Sequence, residues 1–246
     1  MINEMNSFGH ISNDYFLLAA ILIVGMSYSI LAKKLTVAAA IIGGILATVI
    51  FAVAGYPGIA MMSAFFLLAS AASGWKLSFK QEFTNPQDKA ARKSFQVLAN
   101  TGLPVIAGLI IIIIPGLKEL MLLAMAASFA SATADILSSE LGTVYGRRFL
   151  NIITFQPEKR GLEGVVSLEG ILIGILGSCI IASIFSSGFG WNRNFFLIVI
   201  AGTAGNLLDS VLGATLERKG IINNNVVNFL NTLFAAIVAI LISILF

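Results

Sequence analysis

Residues Leu35–Gly74 read LTVAAAIIGGILATVIFAVAGYPGIAMMSAFFLLASAASG, a run without one charged side chain, interrupted only by Gly55-Tyr56-Pro57-Gly58. A helix crosses the roughly 30 Å hydrocarbon layer in about 20 apolar residues, and Gly-Tyr-Pro-Gly is turn chemistry. The stretch therefore predicts two antiparallel membrane spans, 35–54 and 57–74. Outward from it, Lys33 and Lys34 separate the first of these from a span at 15–32. Further apolar runs predict spans at 94–114, 118–138, 167–186, 195–213 and 225–245. The reading is an all-α, polytopic helix bundle of about eight transmembrane helices, with seven as the alternative. Residues 1–246 form a single transmembrane domain with loops at about 75–93, 139–166 and 214–224.

Composition agrees: 58% of residues are hydrophobic, only 11% are charged, and mean hydropathy is +0.95, values that exclude a soluble domain. The single cysteine, Cys179, lies in an apolar run and reads as helix packing; with no Cys/His cluster, a disulfide framework and a zinc site are not expected. The polar start MINEMNSFGHISND lacks a basic segment and a cleavage site, so the first span is expected to stay in the protein.

Charge fixes an orientation. With Lys33 and Lys34 inside, alternate connections place Lys76, Lys80, Lys89, Arg92, Lys93, Arg147, Arg148, Lys159, Arg160, Arg218 and Lys219 inside too. Of the 15 Lys and Arg only Lys118 and Arg193 fall outside, so the positive-inside rule predicts both termini outside. The same tally explains the formal charge of +3. Acidic residues contribute little to orientation, yet Asp135, Glu140, Glu158, Glu163, Glu169, Asp209 and Glu217 gather on the predicted cytoplasmic side as well. Carboxylates at the ends of apolar helices call for a physical reason.

Aligning Ala134–Gly142 with Gly205–Gly213, and Arg147-Arg148 with Arg218-Lys219, gives a weak internal repeat. The two spans run the same way, so this would be a parallel repeat bringing two similar helix ends to one site. Asp135 shares a helical face with Ser138 and Ser139, whereas Glu140 points elsewhere unless the helix ends near Gly142. Asn206, Asp209, Ser210 and Gly213 form one stripe, and Asn100 lies about two turns inside its span. Together these offer oxygen ligands suited to Mg²⁺ or Mn²⁺. The competing reading is that Asp135 and Asp209 pair with basic residues while the asparagines bridge helices. The loop 142–167 adds Arg147, Arg148, Lys159, Arg160, Gly161 and Gly164 ahead of a helix, a pattern able to hold phosphate. A second basic run, Asp88 to Lys93, enters the next span on the same side. His10 lies in the tail on the outer side, which argues against a histidine base, and a phosphate monoester needs none, its second pKa being about 6. Phosphoryl transfer needs positioning, a divalent metal and cations around the transferred group.

Five ordered blocks carry a resemblance. They are Lys89-x2-Arg92-x3-Gln96-Val-Leu-Ala-Asn100, the SFASATADILSSELG block at 128–142, Lys159-Arg160-Gly161-x2-Gly164-Val-x-Ser167-x2-Gly170, Gly205-Asn206-Leu-x-Asp209-Ser-x-Leu-Gly213, and Asn223–Asn228 followed by Phe-Leu-Asn231-Thr232. Over roughly residues 33–240 the chain resembles the phytyl-phosphate kinase family of integral membrane proteins, many of them without an assigned reaction. The resemblance implies a nucleotide-dependent kinase that converts an isoprenyl monophosphate to the diphosphate at the cytoplasmic face, with CTP or another NTP as donor. It implies site roles for Lys89, Arg92, Gln96, Asn100, Asp135, Ser139, Glu140, Arg160, Gly161, Gly164, Ser167, Asn206, Asp209, Asn228 and Asn231. Ile136 stands where the family pattern expects a polar residue, and Gln156–Arg160 is more charged than that pattern.

On this reading Asp135, Glu140 and Asp209 hold Mg²⁺ (or Mn²⁺), helped by Asn100 and Asn206, and Lys89, Arg92, Lys159 and Arg160 hold the nucleotide and lipid phosphates. The expected partners are an isoprenyl phosphate and membrane lipids, with no nucleic acid and with homodimerisation left open. Two alternatives stand beside it: a CTP-dependent cytidylyltransferase acting on a lipid phosphate, and a transporter or flippase.

Overall fold

The computed structural model describes residues 2–83 and 92–245; Asp88 and Lys89 lie outside the described residues. The order is α1 (Ile2–Leu31), α2 (Val37–Gly74), α3 (Leu77–Lys80), α4 (Ser94–Ile113), α5 (Lys118–Tyr145), β1 (Leu150–Asn151), β2 (Val165–Val166), α6 (Leu168–Phe189), α7 (Asn194–Leu212) and α8 (Asn224–Leu245). Among the described residues seven helices are long and apolar enough to cross a membrane. The protein is a polytopic helical membrane protein.

Helix α2 explains how seven helices make eight passes. Its 38 residues would extend about 57 Å if straight, nearly twice the hydrocarbon thickness. It is not straight: Gly55 takes φ 59°, ψ −151°, a left-handed backbone open to glycine, just ahead of Pro57. Lys34, which precedes the helix, donates from Nζ to the Ser70 carbonyl at 3.4 Å, close to the helix's other end. No lysine spans 57 Å, so the halves fold back on each other. The Gly-Tyr-Pro-Gly turn is a hairpin between spans, as the sequence predicts.

Helix α5 is the axis of the bundle. From Met121 to Ala134 every residue is buried, because the helix carries alanine, serine and threonine on all sides and its neighbours approach closely on small residues. A Cβ on Gly202 would stand 2.7 Å from that of Ala130, one on Gly205 2.1 Å from Ser131 Oγ, and one on Gly170 2.8 Å from the Ser138 carbonyl. The helix also corrects an expected boundary. The sequence predicts an end at 138 and a loop from 139, whereas the helix continues to Tyr145. Gly142 does not stop it; it supplies a flat contact, since a Cβ there would lie 2.9 Å from the Gly170 Cα. Asp135 consequently sits ten residues, about 15 Å, inside the helix end.

The connection between α5 and α6 contains the only two-stranded pairing among the described residues, with Leu150 opposite Val166 and Asn151 opposite Val165. Helix α6 then starts at Ser167, whose Oγ accepts from Gly170 N at 3.1 Å as an N-cap. Helix α7 ends in a π-helical turn, Gly213–Glu217.

Candidate active site

Helices α5 and α7 run side by side in the same direction, and their polar residues meet in one seam, with Asn206 buried and Asp135, Ser138 and Asp209 half-buried. The carboxyls of Asp135 and Asp209 face each other within hydrogen-bonding reach. Beside them Ser138 Oγ donates to Asn206 Oδ1 at 2.8 Å. In the alignment of the two segments Asp135 corresponds to Asn206 and Ser138 to Asp209. Each residue thus meets its partner's counterpart, the reciprocal pairing that a two-fold relation produces. From α8, Asn231 Nδ2 donates to Asp209 Oδ1 at 2.6 Å, and its own Oδ1 accepts from Ser131 Oγ at 3.2 Å. One turn further in, Ser128 Oγ donates to the Thr232 carbonyl at 3.2 Å. Beyond that level the buried face of α5 is Leu122, Leu123, Met125 and Ala126, which closes the seam toward the opposite end.

Both amide oxygens are therefore occupied by serine hydroxyls, and Asn231 and Asn206 position their neighbours. The remaining oxygen donors are the two carboxyls, which need a cation or a shared proton between them. Among the described residues neither forms an ion pair with Lys or Arg, and no group of three or more His, Cys, Asp or Glu is close enough to cage a metal. Two carboxylates fit Mg²⁺, which keeps its waters and completes its shell with substrate phosphates. Toward the basic end, Glu163 and Glu217 lie within electrostatic range of the pair. Glu217 Oε2 and Asn228 Oδ1 are buried there without a hydrogen-bond partner among the described residues, and Asn228 Nδ2 donates to Asn224 Oδ1 at 3.1 Å.

Glu140 stands apart from this seam. Five residues along α5 turn it about 140° away from Asp135, where it pairs with Lys80. Lys80 is 3% exposed and also donates to the carbonyls of Ala72 at 2.8 Å and Ser73 at 3.0 Å. Sequence reading takes Lys80 only as an orientation signal, because its partner is distant in the chain. Arg92 joins this second cluster: its Nη2 donates to Ser73 Oγ at 3.2 Å, and it feels the charge of Glu140. Gln96 Oε1 accepts from Lys93 N at 2.9 Å and so caps α4, while Asn100 Nδ2 donates to the Gln96 carbonyl at 2.9 Å.

The loop before α6 is built by close contacts. Gly161 (φ 81°) would press a Cβ to 2.5 Å from the Phe83 carbonyl, and Gly164 (φ 71°) to 2.4 Å from Ala214. These glycines strap the loop across the basic end, between α3 and the π-helical turn. Arg160 donates to the Gly146 carbonyl at 3.2 Å and lies over the rings of Phe79, Phe83 and Phe149 at 5.5, 5.1 and 4.6 Å. Arg218 forks onto Glu158 at 2.7 and 3.1 Å; this bond, with a second from Asn151, holds the Glu158 carboxyl below the usual carboxylate range. Lys159 and Ser139 are exposed, and Ser167 is occupied as the α6 cap. The structure thus brings Asp135, Asp209, Asn206 and Asn231 together, and sets Glu140, Arg92, Gln96 and Asn100 on other faces.

The family model described as integral membrane protein DUF92 matches residues 18–236. The chain belongs to this family. Among DUF92 relatives, the uncharacterized membrane protein MJ0933 of Methanocaldococcus jannaschii is 32% identical over 188 residues, 76% of this chain and 77% of that protein. Protein VTE6, chloroplastic, of Arabidopsis thaliana is 31% identical over 205 residues, 80% of this chain and 62% of the longer plant protein. The uncharacterized membrane protein sll0875 of Synechocystis is 32% identical over 202 residues, covering 80% of this chain and 78% of that protein. No solved structure matches.

Proposed function

We propose that this DUF92 protein is a membrane phosphotransferase that extends an isoprenyl monophosphate to the diphosphate at the basic end of the bundle. The observation that carries the reading is the facing pair Asp135 and Asp209, fixed by Asn231 and by the Ser138–Asn206 bond, a pair that has no lysine or arginine partner among the described residues. The resemblance to phytyl-phosphate kinases and the kinship with Protein VTE6 support it.

In the reaction an oxygen of the lipid phosphate attacks the γ-phosphorus of the nucleotide. The bond from that phosphorus to the β-bridging oxygen breaks, and the nucleoside diphosphate leaves with the electron pair. The nucleophile is already ionised, so no base is required. Asp135 and Asp209 would hold a divalent ion, which supplies neutralisation of phosphate charge. Asn231 orients Asp209 through its amide, and the seam's closure above Ser128 keeps the chemistry at one end. Lys159, Arg147 and Arg148 stand at that end as phosphate partners.

The test is incubation of purified protein with geranylgeranyl phosphate and nucleotide labelled separately in the γ-phosphate and the base. Label from the γ-phosphate in a prenyl diphosphate is the expected result. Label from the base, with diphosphate released, would replace the kinase by a cytidylyltransferase. No product with any NTP would remove the proposal and leave transport as the next hypothesis to measure.

A further inference from the structure

A second feature of the bundle has no part in the carboxylate seam. Between α1, the two halves of α2 and α4 lies a cavity of about 250 Å³. Its walls are apolar, with Leu22 from α1, Ala47 and Phe66 from α2 and Val97 from α4 among them; Arg92, Gln96 and Asn100 line it too. Gly25 and Gly43 also line it, and a Cβ built on either meets nothing within 4 Å. The packing does not need these glycines for close approach, in contrast to the neighbouring Gly44, where Met26 Sδ would lie 2.9 Å from a Cβ. The two positions are open space inside a wall. Helix α1 is the outermost helix, with 11% of its spanning window buried, so the cavity borders the bilayer.

The distribution of charge selects the occupant. Arg92 precedes α4 and stands at the basic end, where one of its five N–H donors goes to Ser73 Oγ. Its guanidinium fits a planar or tetrahedral oxyanion. Arg92 is the one charged residue in the lining, where Gln96 and Asn100 add amides and most of the remaining wall offers dispersion and exclusion of water. An amphiphile with one chain and one anionic head matches this pattern.

We infer that this cavity is the slot for the lipid substrate's chain, an isoprenoid lying between α1, α2 and α4 with its phosphate at Arg92. The identity of the head as a phosphate monoester rests on the proposed reaction. The position of the chain does not. Arg92 neighbours Glu140, which is about 7.5 Å along the α5 axis from Asp135 and turned about 140° from it, so the head is held toward the same end of α5 as the carboxylate pair and on another side of that helix.

The experiment is photolabelling of the full chain in phosphatidylcholine nanodiscs with a diazirine-bearing geranylgeranyl monophosphate, the attachment points being read by peptide mass spectrometry. The slot predicts labelled peptides from α1, α2 and α4, competed by unlabelled geranylgeranyl phosphate. It predicts about a tenfold loss of labelling, about 1.4 kcal/mol in affinity, in Gly43→Leu and in Gly25→Leu. At both positions the Cβ of the new side chain enters open space. Asp209→Asn, in which the proposed reaction stops, is predicted to keep its label on the peptides of α1, α2 and α4. Label confined to α5, α7 or α8, label unchanged in both glycine variants, or equal displacement by a diacyl phospholipid would each overturn the inference. A protein that labels as expected but forms no diphosphate keeps its slot and loses the proposed reaction.

Discussion

Asp135 and Glu140 stand five residues apart on the same helix, and their surroundings differ in kind. Glu140 has its own cation: Lys80, 3% exposed, reaches it while also filling the carbonyls of Ala72 and Ser73. Asp135 faces a second carboxyl, that of Asp209. The first arrangement is complete within the chain and ties α3 and the second half of α2 to α5. The second is incomplete without a proton or a cation, and the amides that adjoin it are occupied in holding it open. A carboxylate with a built-in lysine reads as architecture, and a facing pair reads as a place for a ligand.

The largest effect that sharpens this contrast is expected from Asp209→Asn. It removes one of two anionic ligands, so diphosphate formation is predicted to vanish in the labelled-nucleotide assay while the purified protein keeps its helical content. Normal turnover would end the ligand reading of the pair. Next comes Asn231→Leu, which keeps the branching and heavy-atom count of a fully buried side chain and deletes the donor to Asp209. Partners that orient a ligand typically contribute 10–100-fold, and a fall of about that size in kcat/KM is predicted, with Asn231→Asp no rescue because an ionised aspartate donates nothing and adds a third carboxylate.

Glu140→Gln separates the two clusters most directly. It leaves the Lys80 ammonium buried without its carboxylate, and breaking a buried pair costs about 3 kcal/mol. A clear drop in thermal stability in detergent is predicted, with kcat retained at a temperature where the variant is folded, and with stability recovered in a Lys80→Met, Glu140→Leu double variant. Loss of turnover at full stability would move Glu140 into the ligand set. The smallest effect belongs to Arg218→Ala at the rim. The Glu158 carboxyl has a lowered pKa because Arg218 and Asn151 donate to it, so its contribution is present above the ordinary glutamate pKa of about 4.3 and fades as pH falls through the lower folded value. The variant should lose a small part of its melting temperature at neutral pH and a smaller part at low pH, where only the Arg218 bond to the Glu163 carbonyl is missed.

The bundle was legible because hydropathy and turn chemistry are local. Leu35–Gly74 announces two spans and a reversal, and Gly55 makes that reversal. Helix ends were less legible when a glycine's role was set by a distant contact. Gly142 looks like a terminator and is a packing surface for Gly170, so Asp135 lies about two turns further from its helix end than hydropathy suggests. Facing carboxyls on α5 and α7 were within reach of the sequence through the aligned segments, but which residue meets which was not, since the repeat pairs each residue with its partner's counterpart. Lys80 was not legible at all. In a basic loop a lysine reads as orientation, and only the fold brings it beside Glu140.

The central claim is that Asp135 and Asp209, without Glu140, receive the divalent ion. Electron paramagnetic resonance of Mn²⁺ titrated into purified protein with a non-hydrolysable nucleotide measures this binding without turnover. Asp135→Asn and Asp209→Asn are predicted to lose the bound-ion signal, and Glu140→Gln to keep it. A bound signal that survives in both aspartate variants, or that disappears in Glu140→Gln alone, would contradict the account.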